Sequence, residues 1–257
     1  MNICRLGLTA FSLFILTFCS AQDARDAALP ESVFQAGPGL LIVDKPHKGG
    51  DTRILPIPAI YFQKDRFMLF GPQARWVLYY DNDLMVSALG KLRYEGYDDN
   101  EDRYLRGMSD RRMTFEAGLS LAREFQWGRL AADWTSDVLN EHKGHEIRLT
   151  ASRRFADILG IDKLAVTPTV GGNWRSRQLN TYYYGVRRKE AVAGRPAYNA
   201  GDTVGLLTSL RVDYPLAERW NMFSLVSVEW LRSEITDSPI VDQHHKLSLL
   251  IGAMYNF

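Results

Sequence analysis

The chain has 257 residues, a formal net charge of +1, 24% charged and 46% apolar residues. So small a net charge argues against a nucleic-acid partner, which would favour a basic face, and the length suits one closed sheet or one large core. Aromatic residues make up 12%, with 12 Tyr, 12 Phe and 6 Trp, an excess that the fold has to explain.

Arg5 is the only charge before the apolar run 6–18, which is followed by Ser20, Ala21 and the polar Gln22. This order predicts a secretory signal peptide over 1–21 and an exported mature chain over 22–257. The run is short for a retained membrane anchor, and bulky Phe18 ahead of Cys19 argues against lipoprotein processing. Cys4 and Cys19 both fall in the leader, so the mature chain would carry neither a disulfide framework nor a thiolate metal site. Beyond residue 22 no stretch approaches the length of a membrane-spanning helix.

Strands are expected near 37–43, 55–63, 66–71, 73–80 and 84–95, with Pro56, Pro58 and Pro72 interrupting the first of these. From there the pattern is regular. Phe115, Ala117, Leu119 and Leu121 alternate with Thr114, Glu116, Gly118 and Ser120; Leu130, Ala132 and Trp134 with Arg129, Asp133 and Thr135; Ile147, Leu149 and Ala151 with Glu146, Arg148 and Thr150. Val204, Leu206 and Leu210 continue it beside Thr203 and Arg211, and the C-terminus reads Leu247, Leu249, Ile251, Ala253, Tyr255, Phe257 at every second position. Runs of about ten residues at period two match tilted transmembrane strands, whereas soluble strands are usually about five or six long. Aromatics gather near strand ends, among them Phe125, Trp127, Phe155, Trp220, Trp230, Tyr255 and Phe257, as in the interfacial girdles of a membrane barrel.

Short links at 63–66, 81–83, 126–127, 156–162 and 215–218 alternate with longer segments at 96–111, 139–145, 176–202 and 233–245. Outer-membrane barrels have short periplasmic turns and long outer loops. The expectation is therefore an all-β antiparallel transmembrane barrel of about twelve strands, with ten or fourteen as alternatives, in the bacterial outer membrane and in contact with its lipid.

Arg93, Glu116, Arg129, Asp133, Arg148 and Arg211 fall on the expected inner face. They either line an aqueous pore or pair across a narrow lumen, and buried charges are normally paired. His142, His145, His244 and His245 lie in expected outer loops or strand ends without a metal-binding spacing, and no nucleophile elbow is present. Neither a catalytic residue nor a cofactor or metal site is expected. Tyr182, Tyr183, Tyr184, Arg187, Arg188 and Tyr198 make 176–202 the most distinctive loop. Such residues suit recognition, or else form a small core where the loop folds onto the rim.

Several segments carry a family resemblance. They are Leu55, Pro56 with Ile60, Tyr61; Leu105 to Met108; Asp110, Arg111, Arg112; Asp137, Val138 with His142 to His145; Tyr183 to Val186 with Glu190, Ala191; Tyr198; Asp237 to Val241; and terminal Tyr255, Asn256, Phe257. In this order they resemble the MltA-interacting protein (MipA)/OmpV family of outer-membrane proteins, with Arg195 standing where a small polar residue is expected. The resemblance implies a non-enzymatic outer-membrane protein. It also implies a scaffold bringing a lytic transglycosylase together with a penicillin-binding protein that makes murein. Other members suggest a surface adhesin, and the inner charges suggest a narrow channel for small solutes. The resemblance also casts the C-terminal Phe257 as the signal by which such barrels are recognised for assembly.

Overall fold

The computed structural model describes residues 32–50, 52–98 and 103–257; the leader expected over 1–21 lies outside them. The strands are β1 (Val33–Val43), β2 (Arg53–Lys64), β3 (Phe67–Phe70), β4 (Gln73–Asp81), β5 (Leu84–Arg93), β6 (Thr114–Phe125) and β7 (Gly128–Asp137). After these come β8 (His145–Ser152), β9 (Phe155–Ala156), β10 (Ala165–Arg175), β11 (Thr203–Pro215), β12 (Trp220–Trp230) and β13 (His245–Asn256). Each pairs antiparallel with its sequence neighbour, and β13 returns to β1 (Leu40 opposite Ile251) to close the ring. β8 and β9 both pair with β10 and act as one interrupted stave, so the barrel has 12 staves.

The period-two pattern places apolar side chains outward. Leu119, Leu149 and Leu206 are each about half exposed. In water that would be costly; against lipid it is the stable arrangement. The alternate residues Glu116, Ser120, Glu146 and Asn173 point inward and are buried. At the end carrying the short turns, rings follow one another around the rim. Trp220 meets Tyr255, Tyr255 meets Phe257, and Phe257 stacks on Phe34 at 5.1 Å; Phe34, Phe62, Phe67 and Trp76 continue the series. The Phe257 amide donates to Phe34 O at 3.2 Å, so the last residue secures the seam of the ring.

Two of the prolines that interrupt the early pattern, Pro56 and Pro58, have a structural reason. β3 is short, and above its turn to β4 the strand β2 pairs with β1 alone among the described residues. The Gly71 amide donates to Ile60 O, which places the backbone groups of Ile60, and of Pro58 and Pro56 with the same parity, on the unpaired side. Proline has no amide hydrogen to leave unsatisfied there.

Close strand approach depends on Gly118, where a Cβ would stand 1.8 Å from Trp134 O. Gly118→Val is expected to force β6 and β7 apart and to abolish the shift between unheated and heated samples that a folded barrel gives on a denaturing gel. Leu149→Arg, on the lipid face, is expected to cost about 2–4 kcal/mol if its side chain lies near the bilayer midplane, measured by denaturant unfolding in vesicles.

Candidate functional site

The interior holds two linked structures, a charge network across the lumen and a plug of outer loops above it. Strand parity directs Lys91 and Arg93 of β5, Glu116 of β6, Glu146 of β8, Arg175 of β10 and Glu229 of β12 into the same space. Arg93 Nε lies 2.6 Å from Glu116 and its Nη2 2.6 Å from Glu146. Lys91 reaches Glu146 at 2.7 Å and Glu116 at 3.1 Å. Arg175 joins Glu146 at 3.3 Å to Glu229 at 2.9 Å, and Lys246 meets Glu95 at 2.8 Å. Charges from staves on opposite sides of the ring thus close the lumen, each offsetting the desolvation of the next.

Of the lumen residues predicted from sequence, Arg93 and Glu116 sit at the centre of this network, and Arg148 joins it through Glu146 at 3.2 Å. The others lie lower. Asp133 accepts from Arg75 at 3.3 Å, Arg129 pairs with Glu124 at 3.3 Å, and Arg211 pairs with Asp213 at 2.7 Å. Arg211 also lies over the rings of Phe70 and Phe223. Phe223 belongs to a lower lumen cluster with Ala59, Tyr61 and Met254. Arg175, 2% exposed, was not singled out from sequence because it stands at a strand end, outside the clearest alternation.

The plug is built around helix α1 (Arg177–Tyr184), which lies in the loop between β10 and β11. Leu179, Tyr183 and Tyr184 pack with Tyr97, Leu105, Met108, Val186, Ile235, Ile240 and Val241. Arg111 lies 5.6 Å from the centres of both the Tyr97 and Tyr182 rings and pairs with Glu190 at 3.0 Å. Arg195 donates to Arg106 O at 3.2 Å and to Glu190 O at 2.9 Å, so an arginine here clamps two loops through their carbonyls. Ser238 Oγ donates to Tyr184 O, and Val186 and Tyr198 exchange backbone hydrogen bonds of 2.9 Å. The motif segments 105–108, 110–112, 183–191 and 237–241, scattered through the chain, therefore meet in one body.

Of the two readings of the loop, its tyrosines follow the second, a small core. Tyr183 and Tyr184 are each 1% exposed and belong to the plug core. Tyr182 is half-buried and donates to Glu141 at 3.0 Å, Tyr198 donates to Glu234 O at 3.0 Å, and only Arg187 and Arg188 of the expected recognition group are exposed. His142 likewise is not an exposed loop histidine. Its ring is buried 3.1 Å from Glu116, because Asp137 accepts the His142 and Lys143 amides and turns the loop inward. His47 is also buried; it stacks on Tyr184 and touches Tyr183 O through Nε2 at 3.1 Å.

The plug has its own electrostatics. Burial of Glu190 opposes ionisation, but hydrogen bonds from Arg111 and from the Arg187 and Ser109 backbone hold its carboxyl down at about 2. Burial pushes His47 down to about 4; the contact with Tyr183 and the charge of Glu95 oppose this, and Lys45 and Lys246 reinforce it. No group of three or more His, Cys, Asp or Glu among the described residues is placed to hold a metal.

A profile of the family described as MltA-interacting protein MipA matches residues 36–257. The MltA-interacting protein of Escherichia coli is 30% identical over 98% of this chain and 99% of its own length. The putative outer membrane protein YiaT of Escherichia coli is 25% identical over 96% of this chain and 97% of its own. The outer membrane protein Omp26La of Vibrio anguillarum is 29% identical over 63% of this chain and 61% of its own. These relatives and the barrel architecture place the chain in the outer membrane.

Two outcomes are expected from this site. Glu146→Leu leaves Lys91, Arg93 and Arg175 short of a partner and is expected to destabilise the barrel by about 3–5 kcal/mol in denaturant unfolding. Because the folded His47 titrates at about 4 against an ordinary 6.5, the unfolded plug takes up the proton first as pH falls. The contribution of His47 to plug stability is fully present above about 6.5 and is lost progressively towards about 4. The protection factors of the α1 amides, corrected for the intrinsic exchange rate at each pH, are expected to fall over that window and to hold in His47→Gln.

Proposed function

The chain belongs to the MltA-interacting protein MipA family, and on that premise we propose that it is a non-enzymatic scaffold joining a lytic transglycosylase to a murein synthase of the penicillin-binding protein class. The observation that carries this reading is the filled interior. Paired charges, a lower apolar cluster and the outer plug occupy the lumen at successive levels. That arrangement disfavours a solute channel and leaves the rim surfaces for function.

Murein enzymes would be met on the side of the short turns, and the link 157–164 is the longest of these. It is a shaped loop. Asp157, Leu159 and Lys163 hold positive φ, and the Lys163 amide donates to Asp157 Oδ1 at 2.7 Å. Leu159 projects from it 85% exposed, with Ile161 at 44%. Exposed apolar side chains on an ordered turn suit a protein partner. The exposed Arg187 and Arg188 on the opposite rim favour a second reading, surface recognition of anionic groups from outside.

Crosslinking in intact cells, followed by capture of the tagged chain, tests the scaffold. Recovery of a lytic transglycosylase and a murein synthase above a control barrel of equal abundance is expected. The double variant Leu159→Asp with Ile161→Asp should lower it by about tenfold, equivalent to about 1.4 kcal/mol. Recovery of neither enzyme by the unaltered chain would overturn the reading.

A further inference from the structure

Two arginines face the bilayer near the end that carries the short turns. On β6 the outward positions run from Leu119 and Leu121 to Arg123 and Phe125; along β8 and past its end they run from Leu149 and Ala151 to Arg153 and Phe155. Both arginines are exposed. Both segments descend towards the short turns, so each arginine stands one outward position deeper in the bilayer than its phenylalanine. A charge on the lipid face costs more the deeper it lies. Each guanidinium is directed back towards the turns, Arg123 to 5.3 Å from the centre of the Phe125 ring and Arg153 to 5.1 Å from that of Phe155. Both charges therefore end at the level of the girdle aromatics, where head groups lie.

The protein supplies no anion to them. Among the described residues no carboxylate pairs with Arg123 or Arg153, and the acids in this sector are engaged elsewhere. Glu124 turns inward to Arg129, Asp83 lies within electrostatic reach of Glu124 and of the inward Tyr80, and Asp81 accepts from Tyr79 and Asn82. Asp157 accepts the Lys163 amide, and Asp162 precedes Lys163 in the link beyond. Between the arginines β7 presents Leu130 opposite Arg123 and Gly128 opposite Phe125. A Cβ on Gly128 would stand 3.3 Å from Arg153 Cβ, so its absence leaves a recess beside that arginine. Trp127 stacks on Phe125 at 5.5 Å next to it. The outward faces of β10, β11, β12 and β13 carry no lysine, arginine or carboxylate, which confines the cationic surface to one sector of the wall.

We infer that Arg123 and Arg153 clasp the phosphate of an anionic phospholipid in the periplasmic leaflet, with Phe125, Trp127 and Phe155 against its glycerol and upper acyl chains. The bilayer brings the occupant to this depth, and guanidinium forks match phosphate oxygens. Two cations without a protein counter-charge favour a negative head group over a zwitterionic one. The site lies on the outside of the barrel, and the inference stands apart from the scaffold reading.

Native mass spectrometry of the full mature chain tests it, in detergent with equimolar phosphatidylglycerol and phosphatidylcholine of identical acyl chains. The unaltered chain is expected to retain phosphatidylglycerol over phosphatidylcholine by about tenfold, equivalent to about 1.4 kcal/mol. Arg123→Gln with Arg153→Gln should bring the ratio to about one. Arg187→Gln with Arg188→Gln, on the opposite rim, should leave it unchanged. The gel shift between unheated and heated samples reports that each variant has folded. Should the double variant not fold, each single substitution is expected to lower the ratio by about threefold, half of the same free energy. No preference in the unaltered chain would overturn the inference, as would a preference that survives in the folded Arg123 and Arg153 variants or one that disappears with the rim pair.

Discussion

Backbone amides and carbonyls in hydrocarbon have no water to turn to, and the architecture follows from that constraint. It requires the sheet to close on itself, and the β13–β1 ladder, ending in the bond from Phe257 to Phe34, completes the ring. It also explains why the strands present Leu119, Leu149 and Leu206 to the outside. Where β3 stops short, the same constraint accounts for prolines on the exposed edge of β2. A feature that looks like a defect in the strand pattern is the solution to a local hydrogen-bonding problem.

Turning apolar residues outward leaves polar ones for the interior, and their burial creates the second requirement. Glu116 and Glu146 are buried almost completely, and each touches several cations rather than one. Such a network holds staves of the ring at fixed separation, because moving any one of them strands a charge. Asp137 connects it to the loops by drawing His142 down onto Glu116. The plug then rests on the network, with the His47 ring in contact with both Tyr97 and Tyr184 above it.

This division of labour bears on function. Loops that in other barrels could reach outward are here committed to one another, since Arg111, Glu190, Arg195 and Ser238 spend their hydrogen bonds on neighbouring loops. What remains free is peripheral: an apolar tip at Leu159 and a basic rim at Arg187 and Arg188. A closed, internally cross-braced barrel is a suitable platform for binding at its edges.

Much of this was legible in the sequence because period two is a local property. Alternation around Glu116, Leu119, Leu149 and Arg148 marked strand, face and lumen, and Phe257 and the spacing of links oriented the barrel. Only the tertiary structure decided which charges pair, since Arg93 and Glu146 lie 53 positions apart and meet across the lumen. It also decided that Tyr183 and Tyr184 are core: a Tyr-rich loop has the same composition whether it binds a ligand or packs on Ile240 and Val241. Strand patterns report on neighbours a few residues away, whereas the network and the plug depend on closure of the ring, which no short segment encodes.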